Sequence, residues 1–360
     1  SVSTNGVFLR DGTPFRGIGV NYYDALVRTL SEPPRPHPEE GFQLLEKHRI
    51  PFLRFAAGGY WPVEWGLYRT NRAAHFARLD TLVRSAERHG LGLVPSMFWH
   101  LATVPDLVGE PVSAWGLADS RTLQFMREYT REVVLRYRDS PAIWGWEFGN
   151  EYNLPADLPN AAEHRPPVVP ALGTPGARSA ADDVTHAQIR TALREFGLEV
   201  RRYDPHRAIF SGNAFPRPSA WHLEREHRWD RDTPEQAATM LAGDNPNPIH
   251  TLTGRLYSPE DRDRLAAAVT LGLQLGKPLF VGEFGVPRQA PGDPEALLQD
   301  QLVAMERAGV SLAALWVYDF DGQAGDWNVT AVNDRRHLLE AVAQANARWR
   351  GRGPAVGNGP

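Results

Sequence analysis

Short apolar runs alternate with longer segments of helical period along almost the whole chain. Each apolar run holds four to seven residues. Runs of this length are typical of strands buried on both faces of a parallel sheet. The pattern predicts eight strands, at Gly17–Asn21, Phe52–Phe55, Gly92–Phe98, Ile143–Phe148, Ala208–Ser211, Pro248–Thr251, Leu279–Gly282 and Leu312–Val317.

The segments between these runs place apolar residues every three to four positions, which predicts helices. Asp119 and Asp334 are suitable N-caps, and Ser258 is a suitable cap with Pro259 at the first helical position. Gly90 and Gly276 stand where helix ends favour glycine. The predicted helices are Pro38–His48, His75–His89, Asp119–Arg136, Asp183–Arg202, Thr233–Ala242, Pro259–Leu275, Pro294–Arg307 and Asp334–Arg348.

Eight strands that alternate with eight helices predict an α/β fold, a (β/α)8 TIM barrel, as a single catalytic domain over residues 1–350. Val7–Phe15 carries an Asp-Gly turn and predicts an N-terminal β-hairpin that plugs the N-terminal face of the barrel. The last ten residues, 351–360, lack periodicity, and we expect a flexible tail there. The long loops after the first, fourth and fifth strands should build walls on the C-terminal face, at 31–38, 154–181 and 216–232.

Composition narrows the function classes. The chain has no cysteine, which excludes disulfides and thiolate metal sites. A net charge of −4 gives no electrostatic case for a nucleic-acid partner. No apolar run approaches the roughly 20 residues that cross a bilayer, so we expect no membrane partner. The chain begins with Ser1 rather than Met, which is compatible with a removed leader. We expect a secreted or periplasmic monomer, with a cytoplasmic location left open.

Two apolar segments, Trp144–Glu151 and Leu279–Gly285, each carry a glutamate at or near their end. In both cases an aromatic residue follows the glutamate. A buried strand has no use for a terminal carboxylate unless a charge or a proton is needed there. At the same end of two parallel strands, two such carboxylates face each other across a pocket. This arrangement is typical of glycosidic bond cleavage.

The Asn150-Glu151 pair and the segment Val281–Gly285 resemble glycoside hydrolase clan A, and most closely family five, the cellulase and β-mannanase family. The resemblance implies that Glu151 is the acid/base residue, that Glu283 is the nucleophile and that the mechanism is retaining. Asn150 is suited to hydrogen-bond the sugar 2-hydroxyl. Sequence alone cannot measure the distance between the two carboxylates, which separates retaining from inverting enzymes.

Further substrate-binding candidates come from strand ends. Arg54 is a cation within an apolar strand and needs an anionic partner, for which Glu283 is the natural choice. The resemblance implies pocket histidines at His100 and His250, with a tyrosine two positions after the second. Leu252 stands there instead, so Tyr257, the next tyrosine, is the candidate contact of the nucleophile.

Aromatic residues complete the predicted site, because their faces pack against the C–H face of a pyranose. Trp316 matches the family's platform at the cleavage site, and Trp99 and Trp61 are candidates among the 11 tryptophans of the chain. The acidic segment 319–326 lacks the spacing of an EF-hand loop, and a polar loop is the better interpretation. Glu147, on the same strand as Glu151, is a pocket carboxylate or a structural hydrogen-bond partner.

The sequence therefore predicts a cofactor-free retaining β-glycoside hydrolase without a bound metal, since His-x-His and His-Glu-x-x-His pairs are missing. The resemblance implies a β-linked glucan or mannan, or oligosaccharides of these. Two alternatives stay open. One is a transglycosylase that uses the same two glutamates, and the other is a catalytically inactive carbohydrate-binding barrel.

Overall fold

The computed structural model of the protein describes residues 1–31 and 33–351, and its centre is a barrel of eight parallel strands. Neighbouring strands follow the order β5-β4-β3-β2-β1-β8-β7-β6, as in a (β/α)8 barrel, so the predicted fold is confirmed. The strands are β1 (Gly17–Asn21), β2 (Phe52–Ala56), β3 (Gly92–Phe98), β4 (Gly145–Gly149), β5 (Ala208–Phe210), β6 (Leu252–Leu256), β7 (Leu279–Phe284) and β8 (Leu312–Leu315).

Eight longer helices surround the strands and bury one apolar face each against them. Shorter helices lie within the connecting loops at Val27–Leu30, Gly66–Thr70, Thr103–Val108 and Ala220–Glu226. The longer helices are α1 (Glu39–Lys47), α2 (Arg72–Arg88), α3 (Arg121–Tyr137), α4 (His186–Tyr203), α5 (Pro234–Gly243), α6 (Pro259–Leu275), α7 (Pro294–Ala308) and α8 (Arg336–Gly351).

Helix caps follow local chemistry, with two corrections. Asp334 is not the cap of α8, because that helix begins at Arg336 and the Asp334 carboxylate accepts hydrogen bonds from Arg288 instead. Ser258 caps α6 as predicted: its hydroxyl accepts the N–H of Asp261, whose carboxylate accepts the N–H of Ser258. The cap of α3 is Ser120 rather than Asp119, because the Ser120 hydroxyl accepts the N–H of Leu123 at 3.1 Å. Either residue type satisfies a free helical N–H, so composition alone did not separate the two neighbours.

The sixth strand is the one strand whose prediction was wrong. It was expected at Pro248–Thr251, but β6 begins at Leu252 and ends at Leu256, directly before Tyr257. Pro246 and Pro248 lack the N–H groups that a ladder requires, so pairing with β7 starts only beyond them. The shift of four residues changes which side chains reach the C-terminal face.

Side chains that point into the barrel form two layers. The apolar layer, next to the N-terminal hairpin, consists of Phe8, Phe52, Phe210 and Phe280, with ring centroids 4.9 to 6.2 Å apart for the contacting pairs. Phe8 belongs to the predicted hairpin, whose strands are Leu9–Arg10 and Thr13–Pro14. Above it, the polar layer consists of Asn21, Arg54, Glu147 and Glu283, all at most 4% exposed.

Side-chain hydrogen bonds join β5 to β6, where the barrel closes. The hydroxyl of Thr251 donates to the carbonyl of Ile209 at 2.8 Å, and the hydroxyls of Ser211 and Thr253 are 2.6 Å apart. Among the described residues no backbone ladder joins these two strands, so hydroxyl side chains make the contact at the seam.

The expected flexible tail at 351–360 lies outside the described residues, except for Gly351, which ends α8. No helix within the described ranges is long and apolar enough to cross a membrane.

Candidate active site

The two candidate catalytic glutamates lie at the carboxyl ends of β4 and β7. Glu283 is the fifth residue of β7 and is 4% exposed. Glu151 follows β4 by two residues, in a left-handed conformation with φ of 55°, and its N–H donates to the carbonyl of Gly212 at 3.0 Å. Since this conformation is uncommon outside glycine, the turn directs the Glu151 side chain at a cost in backbone energy.

Arg54 is the centre of the polar layer and is fully buried. Its Nη1 donates to Glu283 Oε1 at 2.9 Å, and its Nε donates to Glu147 Oε1 at 2.7 Å. The predicted contact between Arg54 and Glu283 is therefore present. Burial alone would lower the pKa of Arg54, but the two carboxylates raise it above its ordinary value. The guanidinium stays charged and keeps a permanent counter-charge at Glu283.

Tyr257 is the second donor to the candidate nucleophile. Its hydroxyl donates to Glu283 Oε2 at 2.8 Å, so each oxygen of Glu283 accepts a hydrogen bond from a different side chain. Burial of the hydroxyl and the Glu283 charge raise the pKa of Tyr257, which keeps the phenol protonated and able to donate. The two donors fix both oxygens of Glu283 at the end of β7.

Arg255 is a site residue that was not predicted from the sequence. It is 3% exposed, and its Nε lies 3.6 Å from Glu151 Oε1 and 3.4 Å from Glu283 Oε1. The residue pattern that would have revealed it is Arg255-Leu256-Tyr257. The family resemblance implies a histidine two positions before the tyrosine, and Arg255 occupies that place once β6 is set to end at Leu256.

Asn150 joins the two arginines. Its Oδ1 accepts hydrogen bonds from Arg54 Nη2 at 2.8 Å and from Arg255 Nη2 at 2.7 Å. Because the carbonyl oxygen of the side chain is held by two cations, the amide NH2 group is oriented away from them. The Asn150 backbone N–H donates to the carbonyl of Trp99, which fixes the end of β4 against the end of β3.

Glu151 differs electrically from Glu283. Burial, followed by the charge of Glu283, raises the pKa of Glu151 to about 7, although Arg255 and Arg54 oppose the shift. Near neutral pH the carboxyl group of Glu151 therefore carries a proton in a large fraction of molecules. A carboxyl group that keeps its proton near neutral pH is what a general acid needs.

Aromatic rings line one side of the two glutamates. Trp99 and Trp316 stack with centroids 6.0 Å apart, and the Trp99 ring lies 4.2 Å from the guanidinium carbon of Arg54. The indole N–H of Trp316 donates to Gln323 Oε1 at 2.9 Å. Tyr23, which was not among the predicted site residues, contacts both tryptophans at centroid distances of 4.9 and 6.2 Å. It follows β1 by two residues, and only the course of that loop brings it here.

His100 and Trp61 extend this wall beyond the tryptophans. The His100 ring packs 4.8 Å from Tyr60 and 6.0 Å from Trp61, and its Nδ1 lies 3.3 Å from Thr103 Oγ1. Burial, assisted by the charge of Arg178, lowers the pKa of His100 to about 4. The imidazole is therefore neutral at neutral pH and suited to hydrogen bonding rather than to charge.

His250 does not lie with these residues, so its predicted place in the pocket is corrected. It precedes β6 by two residues, at the opposite end of that strand from Tyr257. Its Nε2 lies 2.9 Å from Arg201 Nη2, and its Nδ1 lies 3.4 Å from the backbone nitrogen of Ile209. Burial and the charge of Arg201 lower the pKa of His250 to about 3. The histidine belongs to the seam between β5 and β6.

Two other acidic groups have cationic partners. In the segment 319–326, Asp319 pairs with Arg28 at 3.1 Å and Asp321 pairs with Arg35 at 3.1 Å, which ties this loop to the loop after β1. A cluster of His222, Glu226 and Asp230 has the spacing to hold a metal ion. Arg228 contacts both of its carboxylates, so it already has a counter-charge.

Comparisons with known proteins repeatedly identify mannan-degrading glycosidases. The chain is 38% identical over 82 residues to a probable mannan endo-1,4-β-mannosidase F of Aspergillus flavus, covering 21% of this chain and 17% of that protein. It is 28% identical over 181 residues to mannan endo-1,4-β-mannosidase 7 of Arabidopsis thaliana, covering 43% and 41%. The chain thus spans less than half the length of these relatives.

Similarity to solved structures extends over the whole barrel. A glycoside hydrolase family 5 mannosidase from Rhizomucor miehei superposes with a TM-score of 0.67 over 98% of each chain, at 13% sequence identity. At this identity the likeness shows the fold. No protein-family model matches the chain.

Proposed function

We propose that the protein is a retaining β-glycoside hydrolase of the family-five type, with Glu283 as nucleophile and Glu151 as acid/base residue. The observation that carries this proposal is that Arg255 Nε contacts both carboxylates, at 3.4 and 3.6 Å. Because both contacts start from the same nitrogen, they set an upper limit on the distance between Glu151 Oε1 and Glu283 Oε1. The two Oε1 atoms thus lie at most 7.0 Å apart, a limit that includes the separation of about 5–5.5 Å in retaining enzymes and excludes most of the roughly 6.5–9.5 Å range of inverting ones.

The environments of the two glutamates divide their roles. Glu283 accepts hydrogen bonds from Arg54 and Tyr257, which hold its carboxylate in place for attack. Glu151, whose pKa is raised to about 7, holds the proton that a departing sugar oxygen needs. In the opposite assignment Glu283 would be the acid, although Arg54 and Tyr257 already donate to both of its oxygens. Glu151 would be the nucleophile, although its raised pKa keeps it protonated in a large fraction of molecules.

The reaction then has two steps. In the first, an oxygen of Glu283 forms a bond to the anomeric carbon, the glycosidic bond breaks, and the departing oxygen takes the proton of Glu151. In the second, Glu151 takes a proton from water while the water oxygen bonds to the anomeric carbon. The ester bond to Glu283 breaks, and both glutamates return to their starting forms.

The remaining side chains bind the sugar. Asn150 presents its amide NH2 group, which suits the 2-hydroxyl because that contact strengthens in the transition state. Trp316 and Trp99 supply apolar faces for the C–H side of the ring. The chemistry uses side chains alone and needs neither a cofactor nor a metal.

For the substrate, we propose β-1,4-linked mannan or its short oligosaccharides. The mannan endo-1,4-β-mannosidases among the relatives and the superposed mannosidase support mannan over glucan. The loop at 154–181 supports short substrates. Arg178 in this loop forms two hydrogen bonds to Asp106, at 2.6 and 2.7 Å, and Gly173 packs against Pro62 in the segment after β2. The loop therefore spans from β4 to β2, and this wall favours release of units from chain ends.

The test is hydrolysis of aryl β-mannosides, aryl β-glucosides, and manno- and cello-oligosaccharides, with the first-formed anomer followed by NMR. We expect β-product first, highest activity on mannosides, and mono- or disaccharide products. α-Product formed first, or lack of turnover on every substrate, would overturn the proposal. Products longer than the substrate would indicate transglycosylation, and random internal cuts in mannan would contradict release from chain ends.

A further inference from the structure

Arg255 stands between the two candidate catalytic carboxylates with one donor unused. Its Nη2 donates to Asn150 Oδ1 at 2.7 Å and to the carbonyl of Gly212 at 2.6 Å. Its Nη1 donates to the carbonyl of Gly254 at 3.1 Å. These contacts fix the guanidinium, whereas its buried Nε has no hydrogen-bond partner and lies almost equally far from Glu151 and Glu283.

Arg54 serves the site differently. Its Nε is taken by Glu147, and its Nη1 is shared by Glu283 and Asn21, at 2.9 and 3.0 Å. This guanidinium is thus committed to Glu283 and to the strands beneath it. Arg255 is the cation in direct ionic contact with both glutamates.

The two-step reaction moves one negative charge between these groups. When Glu283 bonds to the anomeric carbon and Glu151 gives up its proton, the charge passes from Glu283 to Glu151. When water attacks and Glu151 takes up a proton, the charge returns to Glu283. A cation equidistant from both carboxylates is paired with the charge in either state, without moving its own side chain.

We propose that Arg255 is a positioning residue that acts as the shared counter-ion of both steps, paired with the Glu283 carboxylate before attack and with the Glu151 carboxylate in the covalent intermediate. This inference rests on the proposed function. A guanidinium is charged at every working pH, whereas the histidine that the resemblance implies at this place titrates near pH 6.5. The chain therefore replaces a titrating contact by a permanent one.

The consequence is greatest for the second step. Glu151 faces Glu283 from β7, Arg255 from β6, Arg54 from β2 and Asp261 from the first turn of α6. In the intermediate, Glu283 is a neutral ester, so the cations act on Glu151 without opposition from that carboxylate. Loss of Arg255 raises the pKa of Glu151 most in this state, and the acidic limit of the second step moves to higher pH.

The experiment compares Arg255→Gln with wild type on 2,4-dinitrophenyl β-mannoside, whose good leaving group makes the second step limiting. We measure the pre-steady-state burst and the steady-state kcat from pH 4 to 9. Opposite charges within 4–6 Å shift a pKa by about one unit or more, so the acidic limit of kcat should rise by about one pH unit. Below that limit kcat should fall about tenfold, with the burst less affected.

Matched variants separate charge from structure. Arg255→Lys keeps a cation and should keep the wild-type acidic limit, whereas Arg255→His should keep it only below about pH 6.5. Arg231→Gln removes an exposed arginine, 73% accessible and paired with Glu260, and should change neither step. If Arg255→Gln does not fold, the lysine and histidine variants carry the test.

The outcomes distinguish the two proposals. Equal slowing of both steps without a pH shift would overturn the counter-ion role while leaving the proposed function intact. A wild-type protein that hydrolyses glycosides without forming a covalent intermediate, or that releases the α-anomer, would overturn the proposed function and this inference with it.

Discussion

The apolar and polar layers of the barrel interior share the strands β2 and β7 but differ in almost every property. Phe52 and Arg54 are two residues apart on β2, and Phe280 and Glu283 are three apart on β7, where the register shifts. Below, aromatic rings fill the space beside the hairpin. In the polar layer above it, two carboxylates, a guanidinium and an amide are buried, and each of these residues is at most 4% exposed.

The difference teaches how the fold separates stability from chemistry. The apolar layer gains from burial alone, at roughly 25 cal/mol per Å² of apolar surface. The polar layer has to compensate the cost of buried charge with hydrogen bonds, and it does so through Arg54. Substitutions in the two layers should therefore change different measurements.

The largest effect should come from Glu283→Gln, which keeps the shape and removes the nucleophile. We expect kcat/KM on the preferred glycoside to fall by on the order of 10⁵-fold, because the covalent step is lost. Phe280→Leu, three residues earlier on β7, is the matched control in the apolar layer and should keep kcat/KM. Near-normal activity of Glu283→Gln would contradict the assignment of the nucleophile.

Arg54→Met should break the polar layer itself. It leaves Glu147 and Glu283 buried without their shared cation, and such a loss costs about 3–5 kcal/mol in the free energy of unfolding. Urea denaturation measures this, and activity should be lost as well. Arg138→Met, at an exposed arginine beside Asp139, should change stability by less than about 0.5 kcal/mol. Equal free energies of unfolding for the two variants would show that Arg54 does not stabilise the polar layer.

Phe8→Ala, in the apolar layer, should lower stability without lowering activity. Truncating a buried phenylalanine costs about 3–5 kcal/mol of unfolding free energy, while kcat/KM at moderate temperature should stay at the wild-type value. Phe8 lies in the apolar layer, 5.9 Å from the Phe210 ring. Thermal unfolding and steady-state kinetics on the same samples test this. A large fall in kcat/KM would mean that the two layers are coupled.

The pH dependence of activity should come from the polar layer and its neighbour Glu151, since the apolar layer has no titratable group. Glu151 must be protonated in the first step, so kcat/KM should fall as pH rises through about 7. The slope beyond that pH is about tenfold per unit for one proton. Glu151→Gln cannot titrate and should remove this alkaline limit together with most activity. An unchanged limit would assign it to another group.

The smallest effect should follow His250→Gln, since His250 lies at the seam and away from both glutamates. We expect unchanged kcat and KM and a loss of about 1 kcal/mol of stability for the altered hydrogen bonds. His100→Gln is the informative partner, because His100 packs against Tyr60 and Trp61. We expect a raised KM there, and a raised KM in His250→Gln would return that residue to the pocket.

Most of the fold was predictable, because hydrophobic periodicity and the capping, glycine and proline residues at element ends act locally. β1 and β3 have the predicted bounds, Gly17–Asn21 and Gly92–Phe98. Glu151, Glu283 and Arg54 were found together because the carboxyl ends of barrel strands converge, whatever the exact loop geometry.

The rest depended on register and on the course of loops. Arg255 was missed because prolines before β6 delay the strand by four residues, and a side chain four residues away has a different neighbourhood. Tyr23 reaches Trp99 only through the course of the loop after β1. Tyr257, by contrast, was predicted as the contact of Glu283, and its hydroxyl donates to Glu283 Oε2.

Gly282 carries a consequence for how this site can diverge. A Cβ placed there would lie 2.3 Å from Arg255 Nη1, and hydrogen bonds to Asn150 and backbone carbonyls hold that guanidinium in place. Arginine at 255 therefore requires glycine at 282, whereas a shorter side chain at 255 releases that requirement. Across a set of homologous sequences, the two positions should co-vary, and a lineage can exchange the arginine first but can fill position 282 only afterwards.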